Sequence, residues 1–311
     1  MNAPSQQQPG GTGPERGAPL GLVCTDVSMR YGKTHALDGL CLTVEPGVAL
    51  GLVGRNGAGK STLFRCIIGA ERPDSGSVQC APELPRTAFL ARTGFVPDAL
   101  SAYDWMRVGG AIDYVAAVQP RFDAAWSAEL VELLRLDRSV KIRALSRGMQ
   151  ARLAFVLGLS HRPDLVLLDE PLLGVDAVSH DTVLEVLARM RSVQGCTMLI
   201  ASHQLSDLAR LTDRIALLDR GRIVEQIATD ELVQRTKRVV VRPSPTSGWS
   251  PPPQAILCRA RDGATALTVR DFDDAVRESL RASTAGAHVD VIDLSIAEAC
   301  ADRLRALEVQ S

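Results

Sequence analysis

Residues 54–61 read Gly-Arg-Asn-Gly-Ala-Gly-Lys-Ser, a complete G-x-x-x-x-G-K-[ST] run, and no other stretch constrains the fold as tightly. The apolar segment Val48–Val53 before it has strand character, and Ser61–Ile68 after it has helical spacing. A strand, a glycine-rich turn and a helix in that order form the setting in which such a run cradles phosphate. Gly54, Gly57 and Gly59 let the backbone turn several N–H groups inward, making an anion nest at a helix N-terminus. Lys60 adds a point charge for the β- and γ-phosphates of a nucleotide, and the Ser61 hydroxyl is a ligand for Mg²⁺.

The rest of the chain has to supply a sheet around that loop. Leu22–Tyr31 alternates as a strand, Leu40–Val44 is a second, Val48–Val53 a third, and Glu45-Pro-Gly47 is the turn between the last two. Helices are expected over Val108–Val118 and Asp123–Leu136, broken at Pro120. Leu165–Leu168 is an unbroken apolar run, as for a parallel strand buried on both faces, and Thr197–Ala201 and Ile215–Leu218 repeat it. Strands alternating with helices around a phosphate loop imply an α/β protein with a mainly parallel sheet. Beyond about residue 236 the character changes. Arg238–Arg242 alternates, Pro243–Pro253 is Pro/Ser-rich, and Ala255–Cys258 with Ala264–Arg270 reads as a hairpin. Phe272–Ala285 is helical, Val289–Ile292 strand-like and Ile296–Leu307 helical, a small α+β appendage too short for a large core of its own.

Composition sets the class of partner. With 311 residues, 46% of them hydrophobic, there is core enough for one large and one small domain. A formal net charge of -1 gives no electrostatic footprint for nucleic acid, so none is expected as a partner. The seven cysteines are dispersed, mostly in apolar stretches, with no C-x-x-C pair, which suits buried thiols in a reducing cytosol. No stretch approaches the ~18 consecutive apolar residues of a membrane span. Residues 1–19, rich in Gln, Pro and Gly, read as a disordered tail rather than a signal peptide, and the protein is expected to be soluble.

A second site-building segment is Leu165-Val-Leu-Leu-Asp-Glu-Pro171. A carboxylate closing a buried strand beside a phosphate loop, here Asp169, is placed to hold Mg²⁺ directly or through water. Glu170 follows it and can polarise an attacking water. Between the two segments, Ala144-Leu-Ser-Arg-Gly-Met-Gln150 opens a helix that runs to His161. In this order the chain resembles the ATP-binding cassette (ABC) ATPases, whose signature is usually Leu-Ser-Gly-Gly-Gln. Ser146 and Gly148 keep their places, while Arg147 and Met149 replace Gly and Gln. The resemblance covers roughly residues 20–235 and implies a P-loop NTPase fold with an antiparallel β subdomain and a helical subdomain at about 99–160. Residues 236–311 fall outside it as an accessory domain.

The resemblance also implies site residues. Tyr31 falls where the family stacks an aromatic ring on adenine; Asn56 and Thr62 belong to the nucleotide-binding loop. Asp176, in Leu173-Gly-Val-Asp, matches the acidic residue of the loop that crosses the dimer interface, and His203 the histidine that senses the γ-phosphate. One departure stands out. Where relatives carry glutamine after a Gly-aromatic-x-Pro segment, this chain has Gly94-Phe-Val-Pro-Asp98. Asp98 supplies a harder, charged oxygen on a shorter stem. Asp98, the Arg147-Gly-Met149 signature and the Trp105-Met and Pro120-Arg-Phe-Asp123 segments together resemble bacterial drug- or antibiotic-response exporters. The family mechanism implies two subunits joined head to tail around ATP and Mg²⁺. One phosphate loop and one signature are present here, so a second ABC subunit, identical or paralogous, must complete the site. A separate transmembrane permease must supply the path, placing this subunit in the cytoplasm, peripheral on the inner face of the membrane. The alternative expectation is a regulatory ABC ATPase serving a sensor membrane protein or acting outside transport.

Overall fold

Three sheets divide the described residues. The structure is a computed structural model and describes residues 18–202, 210–243, 249–284 and 286–309. β1 (Gly21–Tyr31), β2 (Thr34–Val44) and β4 (Ser75–Ala81) form an antiparallel sheet in the order β2-β1-β4. The central sheet contains β3 (Ala49–Gly54), β5 (Thr93–Val96), β6 (Leu165–Asp169), β7 (Thr197–Ala201), β8 (Arg214–Asp219) and β9 (Arg222–Ala228). Its order is β5-β6-β7-β3-β8-β9, parallel throughout except for the closing hairpin β8-β9. The expected mainly parallel α/β fold with an antiparallel subdomain is what forms.

The apolar runs explain the layering. In β6 and β7 every residue is buried, and alternate side chains go to opposite faces. Val166, Leu168, Met198 and Ile200 join one core. Leu165, Leu167, Leu199 and Ala201 join the other, against the antiparallel sheet and α1 (Lys60–Ile68). The first core also receives α3 (Val108–Val118), α4 (Ala124–Leu133), α5 (Arg147–Leu159) and α6 (Ala177–Gln194); the short α2 (Arg86–Ala91) precedes β5. Asp123 starts α4 by accepting from Trp126 N at 2.9 Å, so the helix begins one residue later than expected. It also stops short of Leu136, because Arg135 takes a left-handed φ of +50°. The Trp126 indole, fully buried, donates to Leu159 O at 3.0 Å and ties α4 to α5.

Beyond α7 (Thr229–Arg235), strands β10 (Lys237–Arg242), β11 (Ala255–Arg261), β12 (Ala264–Val269) and β13 (His288–Asp293) form an antiparallel sheet ordered β11-β12-β10-β13. One face packs on α8 (Asp274–Ser283) around Val239, Leu267 and Phe272. The last helix, α9 (Ile296–Val309), instead sends Ala299, Cys300 and Leu304 into the main core. Buried Arg303 donates to Thr236 Oγ1 at 2.9 and 3.2 Å and pairs with Glu225 on β9. The C-terminal segment is thus fastened to the main sheet by both apolar and ionic contacts.

Several elements were not expected from the residues. β2 begins at Thr34 rather than Leu40, because the polar half of the strand is held by pairing with β1 down to Tyr31↔Thr34. β4 is largely exposed and β9 mostly half-buried, and neither gives an apolar period. Burial of the cysteines holds for five; Cys41 and Cys258 are exposed, on β2 and on the edge strand β11. Among the described residues no helix is long and apolar enough to cross a membrane.

Candidate functional site

The phosphate-loop segment leaves the C-terminal end of β3 and enters α1 at Lys60. Gly59 takes φ +112°, and a β-carbon there would collide with the Ala36 carbonyl oxygen on β2. Gly221 N, in the β8-β9 turn, donates to Ala58 O at 3.0 Å and props the loop from beneath. Lys60, only 7% exposed, donates from Nζ to Gly54 O at 2.7 Å and to Arg55 O at 3.3 Å. Burial lowers its pKa, while the carboxylates of Glu170 and Asp169 pull it back up.

Parallel pairing brings the acidic partners to the same edge. β3, β5, β6 and β7 all end beside the loop, the place where open α/β sheets collect ligand groups. Asp169, 3% exposed at the end of β6, has its carboxyl pushed up by burial, with Asp98 and Glu170 adding to the rise; a Ser61 hydrogen bond and Lys60 act the other way. Asp98 follows β5 and faces the same space. Glu170 sits at φ +49°, left-handed backbone that a glutamate adopts only under constraint. The constraint is visible: Glu170 N donates to Ala201 O on β7 at 2.8 Å, and Glu170 O accepts from Leu173 N at 3.0 Å.

A cleft of about 390 Å³ results, lined by Tyr31, Asn56, Gly57, Gly59, Lys60, Ser61, Thr62, Asp98, Asp169 and Glu170. Gly54 lies under it, contributing the carbonyl that holds Lys60. Ala36, Arg55 and Leu173 also line it, though the sequence reading singled out none of them. Ala36 could not have been found, since only the β1-β2 hairpin carries it there; Arg55 and Leu173 sit inside segments already marked.

Three expected residues stand elsewhere. Ser146 caps α5, accepting from Met149 N at 3.2 Å, and Gly148 lies against Gly174, where a β-carbon would come 2.8 Å from the carbonyl oxygen. Asp176 caps α6, accepting from Ser179 N at 3.0 Å and from the Ser179 hydroxyl at 2.8 Å. The signature turn therefore packs on residues 174–176, and Ser146, Gly148 and Asp176 do not line the cleft of their own chain. His203 lies outside the described residues.

Fold and cleft together define a P-loop nucleotide-binding α/β protein. A family profile described as ABC transporter matches residues 37–173. The "Nod factor export ATP-binding protein I" of Paraburkholderia xenovorans is 33% identical over 220 residues, 67% of this chain and 70% of that protein. The "Methionine import ATP-binding protein MetN" of Mesorhizobium japonicum is 34% identical over 213 residues. That match takes in 65% of this chain and 58% of the importer's length, less than two thirds of that relative. The "Bacitracin transport ATP-binding protein BcrA" of Bacillus licheniformis is 28% identical over 222 residues, 70% of this chain and 72% of that one. Among solved structures, one titled "Structure of ATP binding subunit of ABC transporter" superposes with TM-score 0.62 at 24% identity. It covers 68% of this chain and 92% of that one. This chain belongs to the ABC transporter family of ATP-binding proteins.

Proposed function

We propose that this chain binds and hydrolyses ATP as the energising subunit of an ABC exporter, docked on a separate transmembrane permease at the cytoplasmic face of the membrane. The observation that carries the reading is buried Lys60, held by two loop carbonyls and facing Asp169 and Glu170 across the cleft. The loop N–H groups and Lys60 bind the phosphates, and the exposed Tyr31 ring offers a face for the adenine. Glu170, aimed by its constrained backbone, takes a proton from the attacking water as the water-to-phosphorus bond forms and the β–γ bridge breaks.

The donor set fits Mg²⁺ carried in with ATP. Among the described residues no group of three His, Cys, Asp or Glu side chains forms a ready cage. Mg²⁺ characteristically uses one or two carboxylates and the nucleotide's own phosphates. Ser61, Asp169 and Asp98 would hold it, and it would supply positive charge to the phosphate oxygens. The like charges of Asp98 and Glu170 that already push up Asp169 are relieved by such a cation.

Ser146, Gly148 and Asp176, which do not line their own cleft, serve a second ABC subunit, identical or paralogous, whose ATP they close over; His203 senses the γ-phosphate. The Nod-factor and bacitracin relatives and Asp98 with the Arg147-Gly-Met149 signature support the export reading, while methionine and aliphatic-sulfonate import proteins stand beside them among the relatives. Asp98 also favours a second reading, a slow regulatory ATPase reporting to a sensor membrane protein. The test is Glu170→Gln: ATP binding persists, hydrolysis falls by ~10²-fold or more, and an ATP-bound dimer accumulates on gel filtration. Wild-type turnover in this variant overturns the assignment of Glu170. Identification of the membrane protein that co-purifies separates the exporter from the sensor reading.

A further inference from the structure

Tyr31 ends β1 with its ring 43% exposed at the mouth of the cleft, yet its hydroxyl is not free. It donates to Glu71 Oε2, and Arg65 Nη1 approaches the other carboxylate oxygen at 3.4 Å. The hydroxyl also meets Thr62 and Arg65, one turn apart on α1, the helix that begins in the phosphate loop. Glu71 is itself fixed just past that helix, its N–H donating to Arg65 O at 3.2 Å. Two further bonds hold the same loop to the end of β1: Arg30 N to Asp74 Oδ2 at 2.8 Å and Asp74 N to Ser28 O at 2.8 Å.

We propose that Glu71 is a positioning residue for the nucleobase: it holds the Tyr31 ring in place over the cleft, at a fixed distance from the phosphate loop. This deepens the proposed function and rests on Tyr31 meeting the base. An exposed aromatic ring samples several rotamers, and stacking on it costs the entropy of choosing one. A hydroxyl bonded to a carboxylate that is anchored on α1 makes that choice before the nucleotide arrives. The ring and the phosphate nest then present one spacing, and base and phosphates bind together. Glu71 touches neither the base nor the phosphates in this arrangement; it acts through Tyr31.

The test compares ATP with inorganic tripolyphosphate, which carries the phosphates without the base, by competition against a fluorescent ATP analogue. Glu71→Ala is expected to weaken ATP about three- to tenfold, the cost of ordering one side chain on binding, and to leave tripolyphosphate within about twofold. Tyr31→Phe keeps the ring, loses the hydroxyl, and should match Glu71→Ala; the double variant should be no worse than either. Glu71→Gln retains an acceptor oxygen and should bind ATP within about twofold of wild type. If Glu71→Ala weakens both ligands equally, the residue supports the phosphate loop rather than the ring and the proposal fails. Additive effects of Glu71→Ala and Tyr31→Phe also overturn it. Tyr31→Ala separates the two layers of argument. When it weakens ATP but Glu71→Ala does not, the base reading stands and the positioning role falls. When Tyr31→Ala leaves the ratio of ATP to tripolyphosphate affinity unchanged, the base reading itself is wrong.

Discussion

Lys60→Met is the most direct probe of the cleft. The native ammonium is nearly sealed from solvent and bonded to Gly54 O at 2.7 Å and Arg55 O at 3.3 Å. An ammonium has three donors. On binding it can keep the short bond to Gly54 and redirect the other two donors to phosphate oxygens, giving up the long bond to Arg55. Two hydrogen bonds between charged groups contribute ~1.5–3 kcal/mol each, and the surrendered neutral-acceptor bond returns ~1 kcal/mol. The net loss in Lys60→Met is therefore ~2–5 kcal/mol, or ~30-fold to several thousand-fold in ATP affinity. Stability should hardly change, because methionine replaces the buried stem and the ammonium's burial already disfavours its charge. Equilibrium titration with a fluorescent ATP analogue, paired with a thermal melt, reads both quantities. A folded Lys60→Met protein that binds within about threefold of wild type would refute the phosphate-binding reading of the loop.

Three further outcomes are expected. Asp98→Gln should raise the Mg²⁺ concentration needed for half-maximal ATPase activity, since a neutral amide is a weaker ligand for a hard cation; superimposable Mg²⁺ titrations would leave Asp98 a turn residue. His161 is 4% exposed with its pKa lowered to about 4, chiefly by burial, from an ordinary 6.5. Between those two values the unfolded chain binds the extra proton, so stability rises with pH across that window, by up to ~3 kcal/mol, and is complete above 6.5. Denaturant melts of wild type and His161→Gln from pH 4.5 to 7.5 check it, the variant losing that slope. Arg303→Met breaks the anchor to Thr236 and Glu225; because Glu225 is one-third exposed and can rehydrate, the expected loss is ~2–3 kcal/mol rather than that of a fully buried pair, measured by urea unfolding.

Much of this site could be read along the chain because its parts are local. A phosphate loop needs glycines, a lysine and a hydroxyl at fixed spacing between a strand and a helix, and residues 54–61 provide them in one stretch. The all-apolar runs ending at Asp169 and Ala201 likewise declare strands covered on both faces, since a half-exposed strand would alternate. Weakly patterned segments were missed for the same reason. β4, β9 and the polar half of β2 owe their conformation to the strands they pair with, some fifty residues away for β4 and across a hairpin for the other two, rather than to their own composition.

Other features exist only after folding. Nothing within Glu170 or its neighbours announces a left-handed backbone; the bond to Ala201 O on the adjacent strand imposes it. The link from Tyr31 to Glu71 spans 40 positions, and the anchor from Arg303 to Glu225 spans 78, distances at which no local preference can choose a partner. The phosphate-loop pattern and the buried strands were legible along the chain, because those follow from side-chain chemistry and period. Which carboxylates crowd Asp169, what holds Tyr31, and how the C-terminal helix enters the main core were decided by strand order and packing, which bring together groups the chain keeps far apart.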